Sequence, residues 1–266
     1  MALKDLARVR TFVVDLDGTM YLGMRLLSGA REFVEAIRQA GRRVVFLSNN
    51  SSRRGAWYAR KLRRLGVPVK NAEVFTSANA TVLYLSRKCP SRRLYVVGTP
   101  SLRAEFRRAG FEPSSDQPDA VVLGFDTTLT YAKIRRACDL IRSGVPFYAT
   151  HPDLNCPTDG GLLPDCGAMI EMFAAATNVR PVVVGKPQPE MIRFALQYAG
   201  VRSSEAAIVG DRLDTDVRMG QRAGMLTILV LSGATGTAEV RRSRLKPHLV
   251  FPTLKELADV LTDALK

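Results

Sequence analysis

The stretch Thr11-Phe12-Val13-Val14-Asp15-Leu16-Asp17-Gly18-Thr19 decides how this sequence can fold. A short apolar run that ends in a turn signal predicts a buried strand of a parallel sheet. Asp15 and Asp17 therefore lie at the carboxyl end of that strand, where open α/β sheets bind their ligands. Two carboxylates that leave a buried strand together need a cation, protonation or a role in chemistry. Taken alone, the stretch also fits an ordinary strand followed by an Asx turn at Asp17-Gly18.

Apolar runs of strand length alternate with helical patterns along the 266 residues, which predicts a parallel α/β architecture. The predicted strands are Thr11–Val14, Val44–Leu47, Leu94–Val97, Ala120–Leu123, Phe147–Ala149, Val182–Val184, Ala206–Val209 and Thr227–Val230. The predicted helices are Ala30–Ala40, Arg54–Leu65, Ser101–Ala109, Tyr131–Arg142, Pro189–Ala199, Asp216–Ala223 and Leu254–Leu265. The stretch from His151 to Gly167, rich in Pro, Gly and Asp, is the longest predicted irregular segment.

Four of these strands are followed at once by polar side chains. If the four strands are neighbours in one sheet, their polar turns meet at one edge. The residues concerned are, in chain order, Asp15, Asp17, Ser48, Asn49, Asn50, Lys186, Asp211, Asp214 and Asp216.

This set of side chains fits phosphoryl transfer through an aspartyl phosphate. A carboxylate that attacks phosphorus divides one difficult hydrolysis into two easier steps. Mg²⁺ prefers carboxylate and carbonyl oxygens and lessens the repulsion between nucleophile and phosphate. A lysine and small polar donors hold the phosphoryl oxygens, and a second carboxylate serves as general acid and base. Ser48-Asn49-Asn50 and Gly185-Lys186-Pro187 are weak signals alone, whereas Gly210-Asp211 with two further acids is moderately specific. Their common order and their positions at strand ends favour a shared chemical role over a purely structural one.

The motifs resemble the haloacid dehalogenase superfamily, in its branch of NagD-like and p-nitrophenylphosphatase-like proteins, often called HAD-IIA. The resemblance covers nearly the whole chain. The segments that carry it are VFTSANAT at Val74–Thr81, ATHPDLNCP at Ala149–Pro157, DLDGT at Asp15–Thr19, LSNNSS at Leu47–Ser52, GKPQPEM at Gly185–Met191 and GDRLDTD at Gly210–Asp216. It implies a Rossmann-like parallel-sheet core with an inserted α/β cap, and Mg²⁺-dependent phosphatase activity on small phosphorylated substrates.

The resemblance implies a role for individual residues. Asp15 is the nucleophile and Asp17 the acid/base. The implied metal ligands are Asp15, the Asp17 carbonyl and Asp211, with support from Asp216. The implied phosphate- and substrate-binding residues are Gly18, Thr19, Ser48, Asn49, Asn50 and Lys186.

The loop that follows the predicted strand Phe147–Ala149 contains His151 and Asp153. One interpretation is a turn in which Asp153 caps its own backbone and His151 is packed. The other, which the resemblance favours, is that one of them contacts the leaving group of the substrate.

Two domains are predicted, with residues 1–78 and 181–266 as the core and residues 79–180 as the inserted cap. The insert has its own alternation of strands and helices and about 100 residues, enough for a separate hydrophobic core. Its expected function is to cover the catalytic edge of the sheet and exclude water.

The net charge of +14 is unusually basic. The segment from Arg42 to Arg64 contains eight basic residues and no acidic one. An Arg-rich solvated surface explains this pattern better than a nucleic-acid site, because no nucleic-acid motif is present and aromatic residues are not interleaved with the basic ones. Attraction of anionic substrates fits either interpretation.

Composition limits the other classes of function. No run of 18 apolar residues spans a membrane, and no signal peptide is evident, so we expect a cytoplasmic protein. The four cysteines include no CxxC pair and are expected to be reduced thiols. A homodimer is one candidate assembly. The alternatives left open are a catalytically weak regulatory or binding protein with this fold, and a basic nucleic-acid-binding protein.

Overall fold

The computed structural model describes residues 5–158 and 160–264. Within them the chain forms two compact units. The first unit comprises residues 5–48, 56–75 and 192–264, and the second comprises residues 49–55 and 76–191 apart from 159. The assignment of residues 79–180 to an inserted cap domain stays a prediction. Among the described residues, no helix has the length and apolar character needed to cross a membrane.

The first unit is built on a six-stranded sheet. Its strands are β1 (Thr11–Asp15), β4 (Arg43–Ser48), β5 (Val74–Thr76), β12 (Ala206–Gly210), β13 (Leu226–Val230) and β14 (Leu249–Phe251), and a separate antiparallel pair is formed by β2 (Tyr21–Leu22) and β3 (Arg25–Leu26). The strand order is β14-β13-β12-β1-β4-β5, and β1 pairs in parallel with both β12 and β4. Every residue of β1 is buried, as expected for a central strand of a parallel sheet.

The core of the first unit lies between this sheet and its helices. Alternate residues of β1, Phe12 and Val14, pack in one apolar cluster with Phe33, Ile37 and Leu257. The helices are α1 (Ala30–Gln39), α2 (Gly55–Arg64), α8 (Arg218–Arg222), α9 (Thr237–Arg242) and α10 (Leu254–Ala264), and α7 (Pro189–Ala199) begins in the second unit and continues into the first. Burial of each such side chain contributes about 1.5–3 kcal/mol, so this layer holds the sheet that carries the carboxylates.

The second unit contains its own parallel sheet, in the order β11-β8-β7-β6, and an antiparallel pair formed by β9 and β10. Alternate strand residues enter two different clusters: Val121 packs with Phe173, whereas Val122 packs with Phe106. Both faces of the sheet are therefore covered. The strands are β6 (Leu94–Val97), β7 (Ala120–Leu123), β8 (Phe147–Ala149), β9 (Asn155–Thr158), β10 (Gly161–Pro164) and β11 (Val182–Val183), and the helices are α3 (Ser77–Lys88), α4 (Pro100–Arg108), α5 (Tyr131–Arg142) and α6 (Cys166–Thr177).

The predicted parallel α/β architecture is confirmed, with two corrections. First, the four strands with polar turns are not neighbours in one sheet, because β11 pairs with β8 in the second unit. Second, the stretch from His151 to Gly167 is not irregular, since it contains the β9–β10 pair and the start of α6. The described part of the predicted C-terminal helix is Leu254–Ala264, and Leu265 lies outside the described residues.

Candidate active site

Asp15 is the last residue of β1, and its side chain is buried within the first unit, with 8% of its surface exposed. Its position follows from the strand: β1 runs between β12 and β4, and its carboxyl end directs the following turn to the edge of the sheet. Asp17 lies in that turn and is half-buried. The turn is closed by a hydrogen bond of 2.9 Å from Gly18 N to Tyr21 O.

Asp211 and Asp216 join Asp15 because β12 pairs with β1 in register, Val14 opposite Val209. Parallel pairing places the residues that follow both strands at the same edge. The carboxylate oxygens of Asp15, Asp211 and Asp216 lie within 4.8 Å of one another, and all three side chains are buried. The structure thus brings three of the predicted acids together in the first unit.

Hydrogen bonds fix the orientation of Asp211. Its Oδ2 accepts from Ala234 N at 2.6 Å, and its Oδ1 accepts from Thr19 Oγ1 at 3.4 Å. Two glycines give it room: a Cβ on Gly18 would lie 2.4 Å from Oδ2, and one on Gly233 would lie 2.0 Å from the same oxygen. Sequence reasoning missed Gly233 and Ala234. The available signal was the Gly-rich turn that directly follows the predicted strand at Thr227–Val230.

Asp216 is positioned by a single π-helical turn, Leu213–Val217. The prediction of an α-helix from Asp216 is corrected here, because α8 begins only at Arg218. Such wide turns often occur at functional sites. Asp216 Oδ2 accepts from Arg212 N and from Thr215 Oγ1, both at 3.3 Å. Asp214 of the same turn is exposed and forms an ion pair with Arg212, so it does not join the cluster.

The carboxylate cluster (Asp15, Asp211 and Asp216) suits a hard divalent cation. A bound cation stabilises three neighbouring buried carboxylates, because it offsets their mutual repulsion and the cost of their burial. The set offers only oxygen donors, which Mg²⁺ prefers. The residues present therefore fit the predicted metal. The carboxylate of Asp17, one of the predicted metal residues, does not belong to this cluster.

Ser48 is a further predicted site residue of the first unit. It is the last residue of β4, and its neighbour Leu47 is paired with Asp15, so Ser48 is placed at the same edge of the sheet. Its side chain is buried, with 2% exposed.

In the second unit, the Asn49 side chain holds the backbone of Lys186. Asn49 Oδ1 accepts from Lys186 N at 2.8 Å, and Nδ2 donates to Lys186 O at 3.1 Å. Nδ2 also donates to Asp153 Oδ2 at 3.1 Å. Lys186 is buried, with 3% exposed. Three of the predicted residues, Asn49, Asp153 and Lys186, are thus brought together by one amide group.

The side-chain oxygen of Asn50 closes a local turn. Oδ1 accepts from Ser52 N at 3.0 Å and from Ser52 Oγ at 2.7 Å. Its amide donates to Cys156 Sγ at 3.5 Å. The predicted phosphate-binding role of Asn50 stays a prediction.

His151 is fully buried in the second unit, and both of its ring nitrogens are hydrogen-bonded. Nδ1 lies 2.9 Å from Thr150 Oγ1, and Nε2 lies 2.9 Å from Asp165 Oδ1. Burial opposes a positive charge on His151, but the charges of Asp165 and Asp153 and the hydrogen bond to Asp165 outweigh it and raise the pKa. The pKa of the neighbouring Cys166 thiol is raised to about 12 by burial, so this cysteine is an inert thiol.

Comparisons with known proteins match this architecture. Residues 12–112 match the family described as haloacid dehalogenase-like hydrolase, and residues 183–257 match a second description of the same group, HAD-hydrolase-like. The chain is similar to the acid sugar phosphatase of Staphylococcus aureus, with 36% identity over 93% of this chain and 96% of the relative.

Two solved structures extend the likeness to three dimensions. One is the 4-nitrophenylphosphatase of Thermotoga maritima, with 41% identity, a TM-score of 0.92, and coverage of 96% of this chain and 98% of that one. The other is NagD from Escherichia coli K-12, with 33% identity, a TM-score of 0.87, and coverage of 93% and 98%.

Proposed function

This chain belongs to the haloacid dehalogenase-like hydrolase family, in its NagD-like branch, and we propose that it uses Mg²⁺ and an aspartyl phosphate on Asp15. Its activity is the hydrolysis of phosphomonoesters. The observation that carries the proposal is the carboxylate cluster. Asp15, Asp211 and Asp216 are buried together at the end of β1, while Asp17, two residues on, is half-buried.

The first step forms the phosphoenzyme. A carboxylate oxygen of Asp15 attacks phosphorus, and the bond from phosphorus to the ester oxygen breaks. The Asp17 carboxyl group donates its proton to the departing oxygen, so the substrate leaves as a neutral alcohol. General acid catalysis of this kind contributes about 10²–10⁴-fold to the rate.

The second step returns the enzyme to its starting state. The Asp17 carboxylate accepts a proton from water, and the resulting oxygen attacks the phosphorus of the acyl phosphate. Cleavage of the bond to Asp15 releases inorganic phosphate and the free carboxylate. Because Asp17 ends this step protonated, it is ready for the next substrate.

Asp15 and Asp211 would hold the Mg²⁺, with Asp216 in support and the Asp17 carbonyl as the further predicted ligand. When bound, the ion reduces the repulsion between the Asp15 carboxylate and the phosphoryl oxygens. The bonds from Ala234 N and Thr19 Oγ1 hold the Asp211 carboxylate in place for this role.

The remaining predicted residues would bind the phosphoryl group. The Ser48 hydroxyl and the Lys186 ammonium would donate to its oxygens, and Thr19 and the Gly18 backbone would support the same group. The support for Asn49 is indirect, because its side chain fixes the Lys186 backbone through two hydrogen bonds. We therefore propose that Asn49 orients Lys186.

The proposed substrate is a small phosphomonoester such as a sugar phosphate, with a nucleotide as the second candidate. The sugar phosphate is supported by the name of the similar Staphylococcus aureus enzyme. Of the two residues predicted to meet the leaving group, His151 is fully buried, so we assign the contact to Asp153. A cytoplasmic location and a homodimer stay predictions.

The experiment compares the wild type with Asp15→Asn on 4-nitrophenyl phosphate and a panel of sugar phosphates and nucleotides, with Mg²⁺ and after chelation. We expect Asp15→Asn to lose activity by at least about a thousandfold, because the amide cannot attack phosphorus. Chelation should abolish wild-type activity. Acid quenching during turnover should reveal one phosphoryl group on the peptide that contains Asp15.

The matched control is Asp214→Asn, which removes an exposed carboxylate of the turn that carries Asp216. It should retain wild-type activity. More than about a tenth of wild-type activity in Asp15→Asn would disprove the nucleophile assignment, since loss of covalent catalysis costs several kcal/mol. Activity that survives thorough chelation would disprove the metal assignment.

A further inference from the structure

The first unit contains a cluster of arginines outside the proposed catalytic residues. A groove of about 420 Å³ is lined by Arg218, Gln221, Arg222, Ser243, Arg244 and Leu245. Its lining therefore includes three guanidinium groups and no carboxylate. Because arginine stays protonated throughout the physiological pH range, this arginine groove has a permanent positive charge.

Local structure brings the three arginines together. Arg218 and Arg222 are four residues apart on α8, so their side chains lie on one face of that helix. Arg244 comes from the segment that follows α9. This segment is tied to α8 by a hydrogen bond of 2.5 Å from Gln221 Nε2 to Lys246 O. This hydrogen bond joins the two segments that line the groove.

Arg218 supplies an independent observation. Its Nε is buried and has no hydrogen-bond partner among the described residues. A buried donor without an acceptor costs free energy, and guanidinium groups are normally paired with carboxylate or phosphate oxygens. The groove offers no carboxylate that could serve this purpose.

A second basic groove of the first unit differs, because a carboxylate lines it and one of its guanidinium groups has acceptors within the protein. Its lining includes Arg8, Arg10, Arg42 and Glu205. The Glu205 carboxylate lies 3.5 Å from Arg10 Nε, and the Arg42 guanidinium donates to the carbonyl groups of Leu6 and Val9. Glu205 therefore compensates part of the charge of this groove, and the Arg42 guanidinium has acceptors within the protein. The lining of the arginine groove on α8 contains no carboxylate.

We infer that the arginine groove binds a compact anion with two or more adjacent phosphate groups, of which diphosphate is the simplest. Three guanidinium groups offer more donors than one phosphate can accept, and each can bind phosphate oxygens in a bidentate manner. The lining contains no aromatic side chain on which a nucleobase could stack. Recognition therefore rests on the phosphate groups.

The test is titration calorimetry with sodium diphosphate at low salt, with a chelator present so that no metal supports binding at the proposed active site. Arg222→Gln and Arg244→Gln should each weaken binding by about tenfold or more, the usual effect of losing a charged hydrogen bond. The control is Arg241→Gln, which removes an exposed charge from α9 that does not line the groove. It should change the affinity by less than about twofold, because a solvated charge is screened.

Three results would overturn the inference: no binding of diphosphate to the wild type, equal losses in all three variants, or orthophosphate binding as tightly as diphosphate. Tighter binding of a single-stranded oligonucleotide, lost in the same two variants, would also overturn it and would assign the groove to a nucleic-acid backbone. Unchanged circular dichroism and unchanged hydrolysis of 4-nitrophenyl phosphate by the variants show that they fold. The inference does not depend on the aspartyl phosphate mechanism, since the groove residues are outside it.

Discussion

Asp15 and Asp17 are only two residues apart, yet they lie in different environments. Asp15 ends a strand and belongs to a buried group of three carboxylates, whereas Asp17 lies in the following turn and is half-buried. A residue that must exchange protons with a leaving group and with water needs access to both. This difference in exposure supports the proposed roles, with Asp15 as the nucleophile and Asp17 as the acid/base.

Asp17→Asn should slow the second step more than the first for a substrate with a good leaving group. 4-Nitrophenolate departs without a proton, but attack by water still needs a base. We expect the phosphoenzyme to accumulate in this variant, with steady-state turnover reduced by about 10²–10⁴-fold. Rapid quench followed by mass spectrometry of the peptide that contains Asp15 measures the amount of phosphoenzyme. If turnover falls and no phosphoenzyme is detected, the assigned role of Asp17 is wrong.

Gly18→Ala tests the packing around Asp211. Gly18 has a φ of +89°, and a Cβ there would lie 2.4 Å from Asp211 Oδ2. The variant should displace the Asp211 carboxylate and raise the Mg²⁺ concentration needed for half-maximal activity by about tenfold or more, the cost of a misplaced ligand contact. A magnesium titration of activity measures the effect.

Gly66→Ala is the matched control for Gly18→Ala. Gly66 has nearly the same φ, +88°, but nothing lies within 4 Å of the position its Cβ would take. Both variants should lose about 1–2 kcal/mol of stability from the left-handed backbone conformation. Only Gly18→Ala should change the magnesium requirement. An equal change in both would mean that backbone strain, not the contact with Asp211, is responsible.

At the scale of elements, the end of β8 is joined to the start of α6. His151 follows β8 by two residues, and its Nε2 lies 2.9 Å from Asp165 Oδ1. Asp165 is also the N-cap of α6, where its side chain accepts from Cys166 N. One carboxylate thus satisfies both a helix end and a buried histidine, which stabilises the stretch that the sequence presented as irregular.

The link between His151 and Asp165 predicts that the stability of the folded chain decreases as the pH rises. The pKa of His151 is raised above 6.5 in the folded chain, so the folded state holds the proton more tightly than the unfolded state. The stabilisation is complete below pH 6.5 and is lost as the pH rises through the raised pKa. The wild type should therefore have a higher free energy of unfolding than His151→Gln at low pH, and this difference should decrease over that range. Urea denaturation of both proteins at a series of pH values measures it.

The control for the pH series is His248→Gln. His248 is the other histidine of the chain, is exposed, and has its Nδ1 hydrogen-bonded to Thr227. The same pH course in both variants would show that the effect does not come from the link between His151 and Asp165. A His151→Gln difference that is constant with pH would show that the pair contributes packing alone.

At the scale of the whole molecule, the net charge of +14 should affect how fast anionic substrates arrive. We expect kcat/KM for 4-nitrophenyl phosphate to fall several-fold between about 0.02 and 0.5 M NaCl as screening shortens the range of attraction, with kcat little changed. Steady-state kinetics at constant Mg²⁺ measures this.

The double variant Arg60→Gln, Arg64→Gln removes two exposed charges of the basic segment, both on α2. Its salt dependence should be shallower than that of the wild type. The same slope in both proteins would contradict steering by this segment and would point instead to inhibition by chloride.

Local sequence determined the strands and the position of Asp15 at the carboxyl end of one of them. Thr11–Val14 is apolar enough to be buried on both faces, and the polar residues that follow must emerge at its carboxyl end. The capped helix α3 was missed because the segment from Ser77 to Lys88 has no clear apolar stripe, although Thr76 and Asn79 form a capping box at its start. Short-range patterns of this kind depend only on neighbours along the chain.

Tertiary structure decided which of the predicted segments meet. Val182–Val183 has the same apolar character as the core strands, yet it pairs with β8 in the second unit, and nothing in its own residues indicates that partner. The bond from Ala234 N to Asp211 and the burial of His151 against Asp165 likewise join residues well separated along the chain. Such contacts are selected by the packing free energy of a whole unit, which local periodicity does not contain. The sequence therefore predicted the acids of the site, and only the fold determined the residues that hold them.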